Sequence, residues 1–159
     1  MQLSDAACGN STSFDITEEI TLSAWVNTSD AGNDEHNTFV GKGDHTYAIK
    51  HSDGNSIQFF IYDGEWITAN VNVDDSFNAD WHHVAGTYDC SQVRLYIDGG
   101  LTGTSDYDGP IGIDTYPVNI GRNSEKTDRF YNGAIDEVMI YNRALSTGEI
   151  LYIADQYID

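Results

Sequence analysis

Short runs in which apolar and polar residues alternate with period two recur along this chain, and most of them are closed by a turn signal. In run 20–27, Ile20, Leu22, Ala24 and Val26 fall on one face, with Ser23 and Trp25 on the other. Side chains of a strand point alternately to its two faces, so this pattern specifies a strand with one buried side. Runs 57–62 and 66–73 flank Asp63-Gly64, and Asp98-Gly99-Gly100 follows run 93–97. Asp-Gly between two alternating runs is a hairpin signal, because the turn needs residues that tolerate positive φ. Further short strands are expected at 38–40, 46–50 and 81–88, a weak one up to Ser105, and one at Val118 after a long loop. In run 133–141, strict alternation places Ile135, Glu137, Met139 and Tyr141 on one face, and Ala134, Asp136, Val138 and Ile140 on the other. At the start of the chain, Leu3 reads as the last apolar strand residue before a turn-rich CGNSTS stretch, with Phe14 and Ile16 plugging the edge of the core. Many short strands with turns between them predict a sandwich of two antiparallel sheets.

One helix is expected, at the C-terminus. Ser146 followed by Glu149 makes a capping box, each side chain taking an orphan amide of the first turn. Ile150, Leu151, Ala154 and Tyr157 form its apolar stripe.

The 159 residues fit a single domain, 1–159, and an apolar share of 40% supplies a core. A formal net charge of −19 argues against nucleic acid and anionic membrane surfaces as partners. It has two readings: a solvated acidic surface, or carboxylates gathered for a hard cation such as calcium. Asp30, Asn33, Asp34 and Glu35 form one acid-rich loop of that kind. No stretch is long and apolar enough to insert in a bilayer. Cys8 and Cys90 leave two states open, one disulfide or two free thiols.

Signals of catalysis are missing. There is no Gly-x-Ser-x-Gly, no His-Glu-x-x-His and no complete calcium-binding Asp-x-Asp-x-Asp-Gly loop; Asp106-Tyr107-Asp108-Gly109 is a fragment of the last. His82 and His83 face opposite ways on their strand, and packing or hydrogen bonding is the expected role. Trp25 and Trp81 are expected in the core, whereas Trp66, just after a turn, is a candidate platform for a ligand.

Four phrases stand out in order: ITLSAWV from Ile20, WHHVAGTYD from Trp81, VRLYIDG from Val93 and GAIDEVMIYNRALSTGEI from Gly133. Together they resemble laminin G-like domains of the concanavalin A-like jelly-roll superfamily, which includes the pentraxins. The resemblance covers nearly the whole chain. It implies an all-β jelly-roll sandwich with a short C-terminal helix, and a further strand upstream of residue 1. Met1 is therefore expected to begin a domain cut from a larger, covalently linked parent that is secreted or attached to the cell surface. Hydrolases of this superfamily place their paired acids on one strand as Glu-x-Asp-x-x-Glu or Glu-x-Asp-x-Glu, and no strand here has that pattern. The expected function is non-catalytic binding of a polysaccharide or other glycan. A protein–protein or cell-adhesion module of the laminin type is the alternative.

The resemblance also implies where the site lies. In pentraxin-like relatives two loops supply calcium ligands, and the matching stretches here are 41–45 and 122–130. Carried over, the metal candidates are Asp44, Asn123, Glu125 and Asp128, with Asp136 as a second position. Lys42, Arg122, Lys126 and Arg129 sit among these acids, so a metal-free, hydrogen-bonding sugar site is the competing form. The ligand-binding candidates are Lys42, Asp44, His45, Tyr47, Tyr62, Trp66, Arg122, Asn123 and Tyr131. The aromatic ones would supply an apolar platform for the C–H face of a sugar ring.

Overall fold

The structure, a computed structural model, describes residues 6–9 (backbone only), 11–29, 37–53 and 55–157. The side chain of Cys8 and the acid-rich loop with Asp30, Asn33, Asp34 and Glu35 lie outside the described residues. Cys90 is an exposed free thiol.

Among the described residues eleven strands form two antiparallel sheets. The first sheet has the order β1 (Ala6–Gly9), β10 (Val118–Ile120), β3 (Asn37–Gly41), β4 (Tyr47–Ser52), β5 (Ser56–Tyr62) and β6 (Trp66–Asn72). The second has the order β11 (Gly133–Tyr141), β2 (Ile20–Thr28), β7 (His82–Tyr88), β8 (Gln92–Ile97) and β9 (Gly100–Asp106). The all-β sandwich with one C-terminal helix is therefore as the alternation requires. Its core forms where Leu22, Val26, Val84 and Leu95 of one sheet meet Ile49, Ile57, Phe59 and Ile61 of the other, all fully buried. The register of β5 with β6 closes the Asp63-Gly64 hairpin with Tyr62 opposite Trp66, and Gly64 takes φ +74°. At the centre, a Cβ on Gly86 would collide with the ring of Phe59 across the interface.

The structure corrects the sequence reading in three places. A strand occupies Ala6–Gly9, beyond Leu3, which was read as the last strand residue, and reaching into the stretch read as turn-rich. It is a short edge strand, held by backbone pairing with β10 rather than marked by apolar residues. In β11 the register with β2 shifts between Asp136 and Met139, and Glu137 has φ +49°. This bulge inserts one residue and reverses the phase. Ile135, Val138 and Ile140 consequently all pack toward the core, while Asp136 and Glu137 are exposed. Trp81, expected in the core, precedes β7 and is 41% exposed; Trp25 is buried, but on the face of β2 turned away from the main core.

That outer face of β2 carries its own polar and apolar packing. Ser23 Oγ is 2.8 Å from His83 Nε2, and the Trp25 ring lies 5.6 Å from that imidazole. Thr21 Oγ1 donates to the Arg143 carbonyl at 2.8 Å and accepts from the Leu145 amide at 2.9 Å, tying the chain before α1 (Thr147–Asp155) to the sheet. The capping box forms as expected between Ser146 and Glu149. Of the predicted stripe, Ile150 and Ala154 are buried; Leu151 and Tyr157 are each 46% exposed. Ile150 and Leu145 pack on Ala85 and Tyr96, a small second cluster beside the main core.

Two outcomes are expected. Gly86→Ala overpacks the Phe59 contact and lowers unfolding free energy by about 1–3 kcal/mol in urea titration, with the fold retained in the surviving population. Burial lowers the His83 pKa to about 4, with Asp98 acting weakly the other way. A histidine whose pKa falls on folding binds more protons when unfolded, so its contribution is present above about 6.5 and is lost as pH falls toward 4. Ring NMR of the folded protein is expected to show His83 neutral at pH 5.5; a protonated ring at that pH disproves the assignment.

Candidate functional site

The register of β4, β5 and β6 places one set of side chains on the outer surface of the first sheet. Lys50 lies opposite Gln58, Phe60 opposite Thr68, and Tyr62 opposite Trp66. The intervening residues Tyr47, Ile49, Ile57, Phe59, Ile61 and Ile67 face the core. On the outer surface Lys50 Nζ stands 5.2 Å above the ring of Phe60, and burial lowers the lysine pKa, with Asp44 opposing. Together with Ser52 these residues floor a cleft of about 580 Å³, walled by Asp44, His45 and Trp66 on one side and by Lys126 and Arg129 on another.

The walls are two loops clamped to each other. The loop after β10 begins at Gly121, φ +76°, and is closed on itself by the Arg122–Phe130 bridge and by Asn123 N donating to the Arg129 carbonyl at 3.1 Å. It grips the β3–β4 loop through one carboxylate. Glu125 Oε1 accepts the amides of Asp44 at 2.7 Å and His45 at 3.1 Å, and Oε2 lies 2.9 Å from His45 Nδ1. Gly43, φ +72°, permits the approach: a Cβ there would come within 2.6 Å of Glu125 Oε1. Asn123 Oδ1 accepts the Glu125 amide at 2.8 Å, and its Nδ2 donates to Asp44 Oδ1 at 2.5 Å. Arg129 Nη1 donates to Asp44 Oδ2 at 3.2 Å.

Trp66 is positioned by the same loop. Its Nε1 donates to the Asp44 carbonyl at 2.7 Å, and its ring meets His45 at 5.8 Å and Tyr62 at 5.3 Å. Yet the residue is 57% exposed. The indole is held at its polar edge and by aromatic neighbours, with ring surface left open.

The predicted residues therefore divide. Asp44, His45, Tyr62, Trp66, Asn123 and Glu125 come together. Lys42 is not part of the cleft lining: its side chain is fully buried, with Nζ donating to the Asp114 and Tyr116 carbonyls and lying 3.4 Å from Asp15. It fastens the 112–117 loop to the sandwich. Tyr47 is in the core, its hydroxyl donating to the Phe14 carbonyl, and Tyr131 packs on Phe39 with its hydroxyl against Thr28. Arg122 lies over Phe130, outside the cleft lining. Lys126 and Arg129 were expected only as basic residues of the competing hydrogen-bonding sugar site, and Lys50, Gln58 and Thr68 were not singled out from sequence. The signal was present for three of them, since Lys50, Gln58 and Thr68 hold the polar phase of three consecutive strands joined by recognisable turns.

The residues expected as calcium ligands are engaged with protein donors where they meet. Both carboxylate oxygens of Asp44 and of Glu125, and the Asn123 carbonyl oxygen, accept hydrogen bonds from protein donors. Asp128 is exposed on the loop, and Asp136 lies on β11 in the other sheet. Among the described residues no group of three or more His, Cys, Asp or Glu is placed to hold a metal ion.

Comparison with known proteins agrees with the architecture. Residues 3–151 match the family model of the concanavalin A-like lectin/glucanases superfamily. The chain belongs to that family. No curated protein sequence matches it. Among solved structures it is similar to the receptor binding domain of botulinum neurotoxin C/D mosaic serotype, with a TM-score of 0.71 and 17% identity, covering 89% of this chain and 37% of that one. It is similar to domain 4 of AbnA, a GH43 extracellular arabinanase from Geobacillus stearothermophilus in complex with arabinotriose, with a TM-score of 0.68, 22% identity and coverage of 87% and 67%. It is also similar to the binding domain of Paraclostridial Mosquitocidal Protein 1, with a TM-score of 0.75, 18% identity and coverage of 99% and 42%. The chain thus spans less than half of the neurotoxin and mosquitocidal-protein binding domains.

The clamp makes a prediction of its own. The Glu125 side chain is 7% exposed and serves three donors, so Glu125→Ala is expected to lower stability by roughly 1–3 kcal/mol and to speed hydrogen exchange at the Asp44 and His45 amides. Glu125→Gln keeps a carbonyl acceptor and loses less. Unchanged exchange at both amides in the alanine variant would show that the loops are held by something else.

Proposed function

We propose that the chain is a non-catalytic carbohydrate-binding module of an extracellular, multi-domain protein, and that the cleft beside Trp66 takes the glycan. The observation that carries this reading is the exposed but immobilised Trp66 ring. A sugar presents an apolar C–H face bordered by hydroxyls, and an indole fixed in advance meets that face without losing rotamer freedom on binding. Lys50, Gln58, Lys126 and Arg129 supply donors around the floor, for hydroxyls or for a glycan carboxylate that Arg129 can grip. The arabinotriose complex of the related arabinanase domain supports a glycan as the ligand. That the relatives are binding domains within longer chains supports a module attached to covalently linked neighbours. A protein receptor is the second reading, supported by the receptor binding domain among those relatives.

Binding here is direct. The hydrogen bonds already made by Asp44, Asn123 and Glu125 support a site that works without calcium. Calorimetric titration with arabinan and uronic-acid oligosaccharides is expected to find a binder whose affinity is the same in calcium and in excess chelator. Trp66→Ala is expected to cost about 1–3 kcal/mol of binding, by analogy with bases stacked on aromatic side chains, with an unchanged melting temperature. Chelator-sensitive affinity would return calcium to the site. Full affinity in Trp66→Ala would move the glycan elsewhere.

A further inference from the structure

The chemistry of the Trp66 cleft narrows the class of glycan it can take. The chain sets seven lysines and arginines against 26 acids, yet Lys50, Lys126 and Arg129 all line this one cleft. Two of them are close enough to feel each other. Burial lowers the Lys50 pKa and Arg129 lowers it further, against Asp44 and Asp53. Like charges held together at the floor of a cleft repel, and an anion lying between them relieves that repulsion.

The nearby acids and the cations differ in what already engages them. Asp44, its side chain 13% exposed, accepts Asn123 Nδ2 with one carboxylate oxygen and Arg129 Nη1 with the other. Glu125, its side chain 7% exposed, accepts the Asp44 and His45 amides and faces His45 Nδ1. Asp53 lies outside the cleft lining. Arg129 is the opposite case. Among the described residues its guanidinium makes one side-chain hydrogen bond, from Nη1 to Asp44 Oδ2 at 3.2 Å, which leaves the Nε and Nη2 donors to a ligand. Lys126 is exposed on the same loop, and among the described residues no hydrogen bond or ion pair holds its amine.

Asp44 also ties the aromatic platform to the guanidinium. Its carbonyl accepts Trp66 Nε1 at 2.7 Å, while its carboxylate accepts Arg129. The indole edge and the guanidinium are therefore held at two ends of one residue. A ring lying on the indole can carry a substituent to the guanidinium.

We propose that the glycan of this cleft is acidic, a uronate whose ring lies on Trp66 and whose carboxylate Arg129 grips. Lys50 and Lys126 supply the surrounding positive charge. The proposal rests on the reading of the cleft as a glycan site and adds the class of sugar. A hydroxyl brings a donor as well as an acceptor, and it leaves the gathered cations uncompensated. A carboxylate only accepts, and its two oxygens match a pair of guanidinium N–H groups.

The test is calorimetric titration of the intact chain at pH 7, where uronates are ionised. The ligands are a galacturonic acid trimer, its methyl ester, arabinotriose and triglutamate. Wild type is expected to bind the acid trimer at least tenfold more tightly than any of the other three. In the double variant Lys126→Gln/Arg129→Gln the preference for acid over ester is expected to fall below twofold. Lys126→Gln alone, at an exposed position, is expected to lower that preference about threefold at an unchanged melting temperature. It keeps the test decisive if loss of Arg129 loosens the Asp44 loop. Equal binding of the ester overturns the proposal, as does a preference for acid that survives both variants. Equal binding of triglutamate, which would make the ligand an acidic peptide, overturns it too. Arabinotriose bound through Trp66, with no acid trimer bound at millimolar concentration, overturns this proposal and leaves the cleft a glycan site. Acid trimer bound at full affinity in Trp66→Ala overturns both readings.

Discussion

Two sheets stay face to face only if every strand turns its apolar residues the same way, and everything else in this molecule depends on that condition. Because side chains alternate with period two, a slip of one residue anywhere would send a strand's core set into solvent. The condition is tightest where β5 crosses β7. The Phe59 ring fills the space that a side chain on residue 86 would need, so the two sheets approach there through a glycine. With the inner faces committed in this way, the outer face of β4, β5 and β6 is left to carry Lys50, Gln58, Phe60, Thr68 and Trp66 in fixed register. The cleft floor is thus a by-product of the core pattern, and its rigidity comes from the same source.

The loops above that floor obey a different constraint. A loop has no ladder to satisfy its amides, so its shape rests on side chains that accept them. Glu125 does this across the gap between two loops, and Asn123 holds Glu125 by its amide. The acids of these loops thereby brace a turn. Their carboxylates are occupied by amides, an asparagine and an arginine, and the exposed surface they create belongs to Trp66 and the cationic side chains.

How far the sequence could be read follows from these two constraints. Alternation and Asp-Gly turns specify the strands from 20 to 106, the last strand and the capped helix, because those signals are local. The meeting of loops 41–45 and 122–130 and the importance of Trp66 came from the family resemblance and from a turn position. What stayed hidden depended on distant partners. Lys42 looks like a ligand until Asp15 and the 114–116 carbonyls close around it. Tyr47 and Trp66 are both aromatic residues near a loop, and only the register with β5 shows that one faces the core and the other faces out. Asp136 was assigned to an apolar face by a period that Glu137 breaks. A bulge has no strong sequence signature, and one inserted residue inverts the prediction for every position beyond it.

The net charge of −19 says less about ligand choice than its magnitude implies. Seven lysines and arginines serve the whole chain. Lys42, Arg94 and Arg143 are paired with acids away from the Trp66 cleft, and Arg122 lies over Phe130. The remaining three, Lys50, Lys126 and Arg129, all line that cleft. At physiological ionic strength charges farther than about 8 Å apart are largely screened, so a ligand in the cleft responds to these three and to the nearby acids Asp44, Glu125 and Asp53 rather than to the surface at large. An acidic protein thereby gathers three of its seven lysines and arginines around one cleft.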